Sequence, residues 1–231
     1  GVGVVTRDTI TETLELVGRL TPIPGASAQL AAPADAVVRA VPVQVGQPVG
    51  AGTLLVELEA PELVTQARSL RAAADAAESD AARQRELFRQ GITARRQLEE
   101  REATATSSRS AAEAAERLLA RTRVTSPLAG GVQRVLVQPG ERVSAGQPLV
   151  EVVNGRSLDL VASATPAELA LLAVGQRAMI SGDGAGPPQA GRVHAIAPGV
   201  DSLTGAGVAV IRLTSAGQTL RPGSAATARI A

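Results

Sequence analysis

Residues 33–58 of this 231-residue chain recur at 127–152 without a gap, and the interval between the copies has the pattern of long helices. Gly46 and Gly52 of the first copy fall on Gly140 and Gly146 of the second, and Pro33, Val38 and Val43 fall on Pro127, Val132 and Val137. Leu55-Val56-Glu57 likewise falls on Leu149-Val150-Glu151. Matched turn glycines with matched β-branched alternation indicate two copies of one supersecondary unit. Each copy reads as strand, turn, strand: Val41, Val43 and Val45 alternate, residues 46–52 break the pattern with glycine and proline, and 54–58 resume it. Neither half can bury its apolar face alone, so two facing halves are expected to form a small flattened β-sandwich.

That split repeat resembles the lipoyl or biotinyl carrier domain, whose halves are related by an internal pseudo-twofold axis. Such carriers attach their prosthetic group to a lysine at the hairpin between the halves. All 23 basic residues here are arginines, and a guanidinium that stays protonated cannot make that amide. A carrier function is thereby excluded and no cofactor is expected.

Where the lysine turn would lie, the chain carries the insertion. Pro61 suits a first helical position, and 61–89 contains no further proline and no glycine. Gln90-Gly91 interrupts the pattern, Thr93 is the expected N-cap, and 94–123 is again free of both breakers. Spacings of four and three select Leu63, Ala67, Leu70, Ala74, Ala77, Ala81, Gln84 and Phe88, and the second helix repeats Leu98, Ala105, Ala112 and Leu119 every seven residues. The expectation is an antiparallel coiled-coil hairpin with a thin seam, about 43 Å long.

Beyond the second copy, Thr165-Pro-Ala-Glu168 spells a capping box before 169–174 and Gly175. Strand patterns follow near 176–181, 191–197, 208–214 and 225–230, and one over 10–20 is expected to join the same barrel. The predicted fold class is mixed and mainly β: a split lipoyl-like sandwich (31–60 and 124–154), a helical hairpin (61–123) and a small β-barrel (6–30 and 155–231).

This arrangement resembles the periplasmic adaptors, or membrane fusion proteins, of Gram-negative tripartite efflux pumps, over nearly the whole chain. Residues 191–201 and Leu220-Arg-Pro-Gly223 are similar to the adaptors' barrel signature. The resemblance implies a non-enzymatic subunit joining an inner-membrane efflux transporter, of the resistance-nodulation-division type, to an outer-membrane channel. It also implies a trimeric or hexameric ring and a periplasmic location with an inner-membrane anchor. In the family the hairpin tip meets the channel through Arg, three residues, Leu, six residues, Ser. Here that frame falls on Arg83, Leu87 and Ala94, so the serine is missing and Thr93 stands beside its place. The expected channel contact is Arg83, Leu87, Phe88, Gly91, Ile92, Thr93, Ala94 and Arg95. Residues 60–63 and 91–96 look more like adaptors of metal-cation efflux than of drug efflux. An adaptor for an ATP-driven exporter or type I secretion system is the alternative.

Composition agrees with a binding module. A net charge of +1 and a single aromatic residue, Phe88, give no footprint for nucleic acid. Without cysteine there is no thiol chemistry, disulfide or cysteine metal site, and His194, the one histidine, has no nucleophile elbow or soft ligand set beside it. No apolar run reaches membrane-spanning length and no signal peptide is read before Gly1. The family's membrane-proximal domain is expected to be absent or cut away.

Overall fold

The computed structural model describes residues 13–182, 184, 186–200, 205–214 and 220–231. In chain order the elements are β1 (Leu14–Pro22), β2 (Ser27–Ala31), β3 (Ala36–Ala40), β4 (Pro48–Val49), β5 (Leu54–Glu59), α1 (Pro61–Arg89), α2 (Arg95–Ala120), β6 (Arg123–Thr125), β7 (Gly130–Val135), β8 (Arg142–Val143) and β9 (Pro148–Val153). They continue with β10 (Leu158–Ala164), α3 (Pro166–Ala170), β11 (Arg177–Gly182), β12 (Gln189–Val200), β13 (Gly207–Leu213) and β14 (Ala225–Ile230). Residues 29–127 and 132–152 make one compact unit; the described parts of 1–28, 128–131 and 153–231 make the other.

In the first unit two four-stranded sheets, ordered β2-β9-β7-β4 and β6-β5-β3-β8, face each other. Replacing every strand by its repeat mate converts one order into the other. The repeat therefore reaches back one strand further than the 33–58 match, to β2 and β6. Each half closes its turns on the other half: Gly46 N–H donates to Val132 O at 2.8 Å while Gly140 N–H donates to Val38 O at 2.7 Å. Gly52 N–H reaches Ser126 O at 2.7 Å, and Gly146 N–H reaches Ala32 O at 2.8 Å. These four glycines have φ between 82° and 87°, a region in which a Cβ is strained, so the repeat glycines are backbone requirements. Val38, Leu55 and Val56 with their mates Val132, Leu149 and Val150 are almost wholly buried and supply the apolar driving force.

One expectation is corrected. Val41, Val43 and Val45 do not form a strand. β3 and β4 lie in different sheets, so 41–47 is the crossover, and Pro42 has no N–H for a ladder. Val43 is still buried, whereas Val45 is 65% exposed.

α1 and α2 run antiparallel, joined by 90–94. Ala67, Ala74 and Ala81 of α1 and Ala105 and Ala112 of α2 are buried, and seven-residue steps along one helix are matched by seven-residue steps back along the other. The ion pairs Arg71–Glu116 (3.7 Å), Glu78–Arg109 (4.0 Å) and Arg85–Glu102 (2.6 Å) follow the same steps. The middle pair has its signs reversed, so a one-heptad slip sets arginine against arginine and glutamate against glutamate. Five buried methyls contribute about 4 kcal/mol in all, comparable with two buried leucines. α2 stops at Ala120, three residues short of the predicted end, because the chain turns at 121–122 to enter β6.

The second unit is a closed six-stranded barrel, β1-β10-β13-β12-β11-β14. Leu16, Leu20, Leu160, Ile180 and Ile211 fill it. Gly18 is demanded by close approach: a Cβ there would lie 2.2 Å from Val161 O on β10. The strand expected over 10–20 begins at Leu14 and pairs with β10 and β14; residues 10–12 lie outside the described residues, as do 6–9 of the expected barrel range and Asp201 of its signature. The capping box is present, with Thr165 and Glu168 bonded reciprocally, but the helix is only Pro166–Ala170, and Gly175 (φ +95°) closes the turn into β11.

A candidate docking tip on the helix pair

The far end of the helix pair is a glycine-stopped turn. Gln90 caps α1, Gly91 takes φ +73°, Gly91 N–H donates to Phe88 O at 3.0 Å and Ile92 N–H donates to Leu87 O at 2.9 Å. This is the Schellman arrangement, in which a left-handed glycine satisfies the last carbonyls of a helix. It leaves Ile92 67% exposed and Phe88 39% exposed at the end of the arm.

The entry to α2 is weaker. Ala94, not Thr93, is the N-cap, and no side chain bonds the first turn. Thr93 Oγ1 instead donates to Gln97 Oε1 at 2.5 Å. Thr93 lies one residue too early for its hydroxyl to reach the N2 or N3 amide, so the orphan donors of α2 meet no cap. Arg95 and Arg96 pair with Glu99 and Glu100 along α2 at 2.9 and 3.1 Å. Leu87 is half-buried, while Arg83, on the turn below, is exposed and paired with Asp80 at 3.2 Å. The turn thus gathers Leu87, Phe88, Gly91, Ile92, Thr93 and Ala94, with Arg83 and Arg95 set back on either helix.

Sequence reasoning missed two features of the arm. The three heptad-spaced ion pairs were legible once a register was assumed. Gln84 Oε1 is buried with no hydrogen-bond partner, and only its place in the apolar seam hinted at that. Electrostatics elsewhere are mild: hydrogen bonding to Glu113, with its charge and that of Glu78, raises the Arg109 pKa, and a bond to Asp159 raises that of Arg212. Hydrogen bonds from Thr165 hold Glu168 below the usual carboxylate range. His194 is exposed on β12, at the bulge between Val193 and Ala195. Among the described residues no three His, Cys, Asp or Glu side chains gather as a metal site, and no helix is long and apolar enough to cross a membrane.

No family model matches the sequence. The nickel-cobalt-cadmium resistance protein NccB of Alcaligenes xylosoxydans xylosoxydans is 27% identical over 221 residues, covering 90% of this chain and 55% of that protein. The chain spans about half the length of the curated relatives it matches. Among solved structures, a MacA–MexA chimera carrying the Pseudomonas aeruginosa MexA α-hairpin domain superposes with a TM-score of 0.84 at 19% identity, over 97% of this chain and 83% of that one. The membrane fusion protein Spr0693 of Streptococcus pneumoniae R6 gives 0.72 at 19% identity, over 94% and 98%.

The chain has the fold of a membrane fusion protein. The helix pair is continuous in sequence, lying between the two copies of the repeat. The tip of the helix pair departs from the Arg-Leu-Ser pattern at a structurally defined point, the uncapped Ala94.

Proposed function

We propose that the chain is the adaptor part of a periplasmic efflux assembly, linking an inner-membrane transporter to an outer-membrane channel and performing no bond-making chemistry. The observation that carries this reading is the split, mutually closed sandwich from which a register-specified helix pair extends to an exposed apolar turn. In this reading the pair is an antiparallel coiled coil. Its tip, Arg83 with 87–88 and 91–95, meets the channel, and copies of the chain assemble as a trimeric or hexameric ring around the conduit. The domain division is 31–60 with 124–154, 61–123, and 6–30 with 155–231, and the complete protein is periplasmic and anchored at the inner membrane. The resistance name of NccB favours divalent metal cations as cargo.

The test is a pull-down from cell envelopes with the complete protein as bait, identified by mass spectrometry. Recovery of an outer-membrane channel with an antiporter-type pump is the expected result. Recovery of an ATPase exporter would keep the adaptor and replace the engine. Recovery of a soluble carboxylase or dehydrogenase alone would overturn the reading.

A further inference from the structure

The barrel wall carries a row of guanidinium groups that the adaptor reading does not use. Strand register sets Arg177 of β11 opposite Arg192 of β12, Arg192 opposite Arg212 of β13, and Arg212 opposite Asp159 of β10. The neighbours Ala178, Val193, Ile211 and Leu160 point into the core, so by strand alternation this row lies on the outer face. Like charges directly opposite on a sheet repel.

Only one end of the row is neutralised. Arg212 forms two parallel bonds to Asp159, Nε to Oδ1 at 2.9 Å and Nη2 to Oδ2 at 3.0 Å. Arg192 Nη1 instead donates to Gly175 O at 3.0 Å, which fixes its guanidinium over the α3–β11 turn, two residues before Arg177. Both arginines are exposed. The side-chain carboxylates of the described barrel residues are committed elsewhere: Asp159 on Arg212, Glu15 on Arg229, and Glu168 on the Thr165 cap.

Two guanidinium groups on adjacent strands, about 4.8 Å apart at the backbone, can share the unesterified oxygens of one tetrahedral phosphate. We infer that Arg177 and Arg192 bind a phosphate group on the barrel wall. Arginine forks select the planar, bidentate edges of phosphate over a spherical halide, so the site distinguishes phosphate from chloride at equal ionic strength.

The test is an NMR titration of the 1–231 chain with inorganic phosphate against chloride at matched ionic strength. Saturable shifts at 175–179 and 190–193 are expected with phosphate alone, and Arg177→Gln or Arg192→Gln should each weaken the affinity about tenfold. Arg177→Lys, which keeps the charge without the fork, should fall between. Arg229→Gln, on the same barrel but paired with Glu15, should leave it unchanged. Co-sedimentation with phosphatidylglycerol vesicles but not phosphatidylcholine vesicles, lost in Arg177→Gln, assigns the group to a lipid headgroup; phosphate binding without that vesicle preference assigns it to a free phosphate. Equal response to phosphate and chloride, or unchanged affinity in both Gln variants, would overturn the site.

Discussion

In the sandwich, Leu55, Val56, Leu149 and Val150 are fully buried and each half supplies the acceptors for the other's turns; in the helix pair the interface is sealed by alanines and edged by exposed ion pairs. Both belong to one compact unit, yet they use different physics. The sandwich relies on non-local burial and is intolerant of change. The helix pair relies on local propensity, close alanine contact and charge register, so its surface can vary while its direction is kept. That division suits a rigid base carrying a partner-reading arm.

The largest test of the contrast is cavity formation. Leu149→Ala should cost about 3 kcal/mol in a chemical denaturation curve, and Leu55→Ala, its repeat mate, about as much. A large asymmetry between the mates would break the twofold account. Overpacking comes next: Ala112→Leu, at a position with no exposed surface, should destabilise the helix pair by about 2 kcal/mol, read as lost helical ellipticity with the sandwich amide signals intact.

Smaller effects probe the tip and the edges. Ala94→Ser supplies the missing cap and should stabilise α2 by about 1 kcal/mol, visible as slower hydrogen exchange at 96–98. A double-mutant cycle on Arg85 and Glu102 should return a coupling of about 0.5 kcal/mol that fades at high salt, since both side chains are substantially exposed. The smallest effect is the pH response of α3. Glu168 has a lowered pKa in the folded chain, so its capping contribution is present above the ordinary carboxylate pKa near 4.5 and is lost as pH falls through the folded value. The Thr165 amide resonance should report that loss, and an unmoved resonance down to acid unfolding would remove the cap from the account.

Much of this fold was legible because its strongest signals are local or periodic. Paired glycines that need positive φ, a proline at the start of α1, and seven-residue alanine spacing all mark the sequence directly. What escaped was non-local. Nothing in the alternation of Val41, Val43 and Val45 announces that the chain there leaves one sheet for the other, and Thr93 resembles a cap until Gly91 fixes where α2 begins. At the tip the residue types were readable, but the exposure of Ile92 and the missing cap at Ala94 depend on how the Schellman turn aims the chain.

The central claim is that the arm's tip, rather than the sandwich, meets an outer-membrane partner. Residues 1–231 contain no cysteine, so Ile92→Cys places one thiol in this stretch at the tip, and Thr53→Cys places one in the sandwich, each compared with the unsubstituted protein. Site-specific crosslinking in intact cell envelopes should join residue 92, and not residue 53, to an outer-membrane channel protein. Crosslinks to that channel from residue 53 alone, or from neither position when both thiols are labelled, would contradict the account.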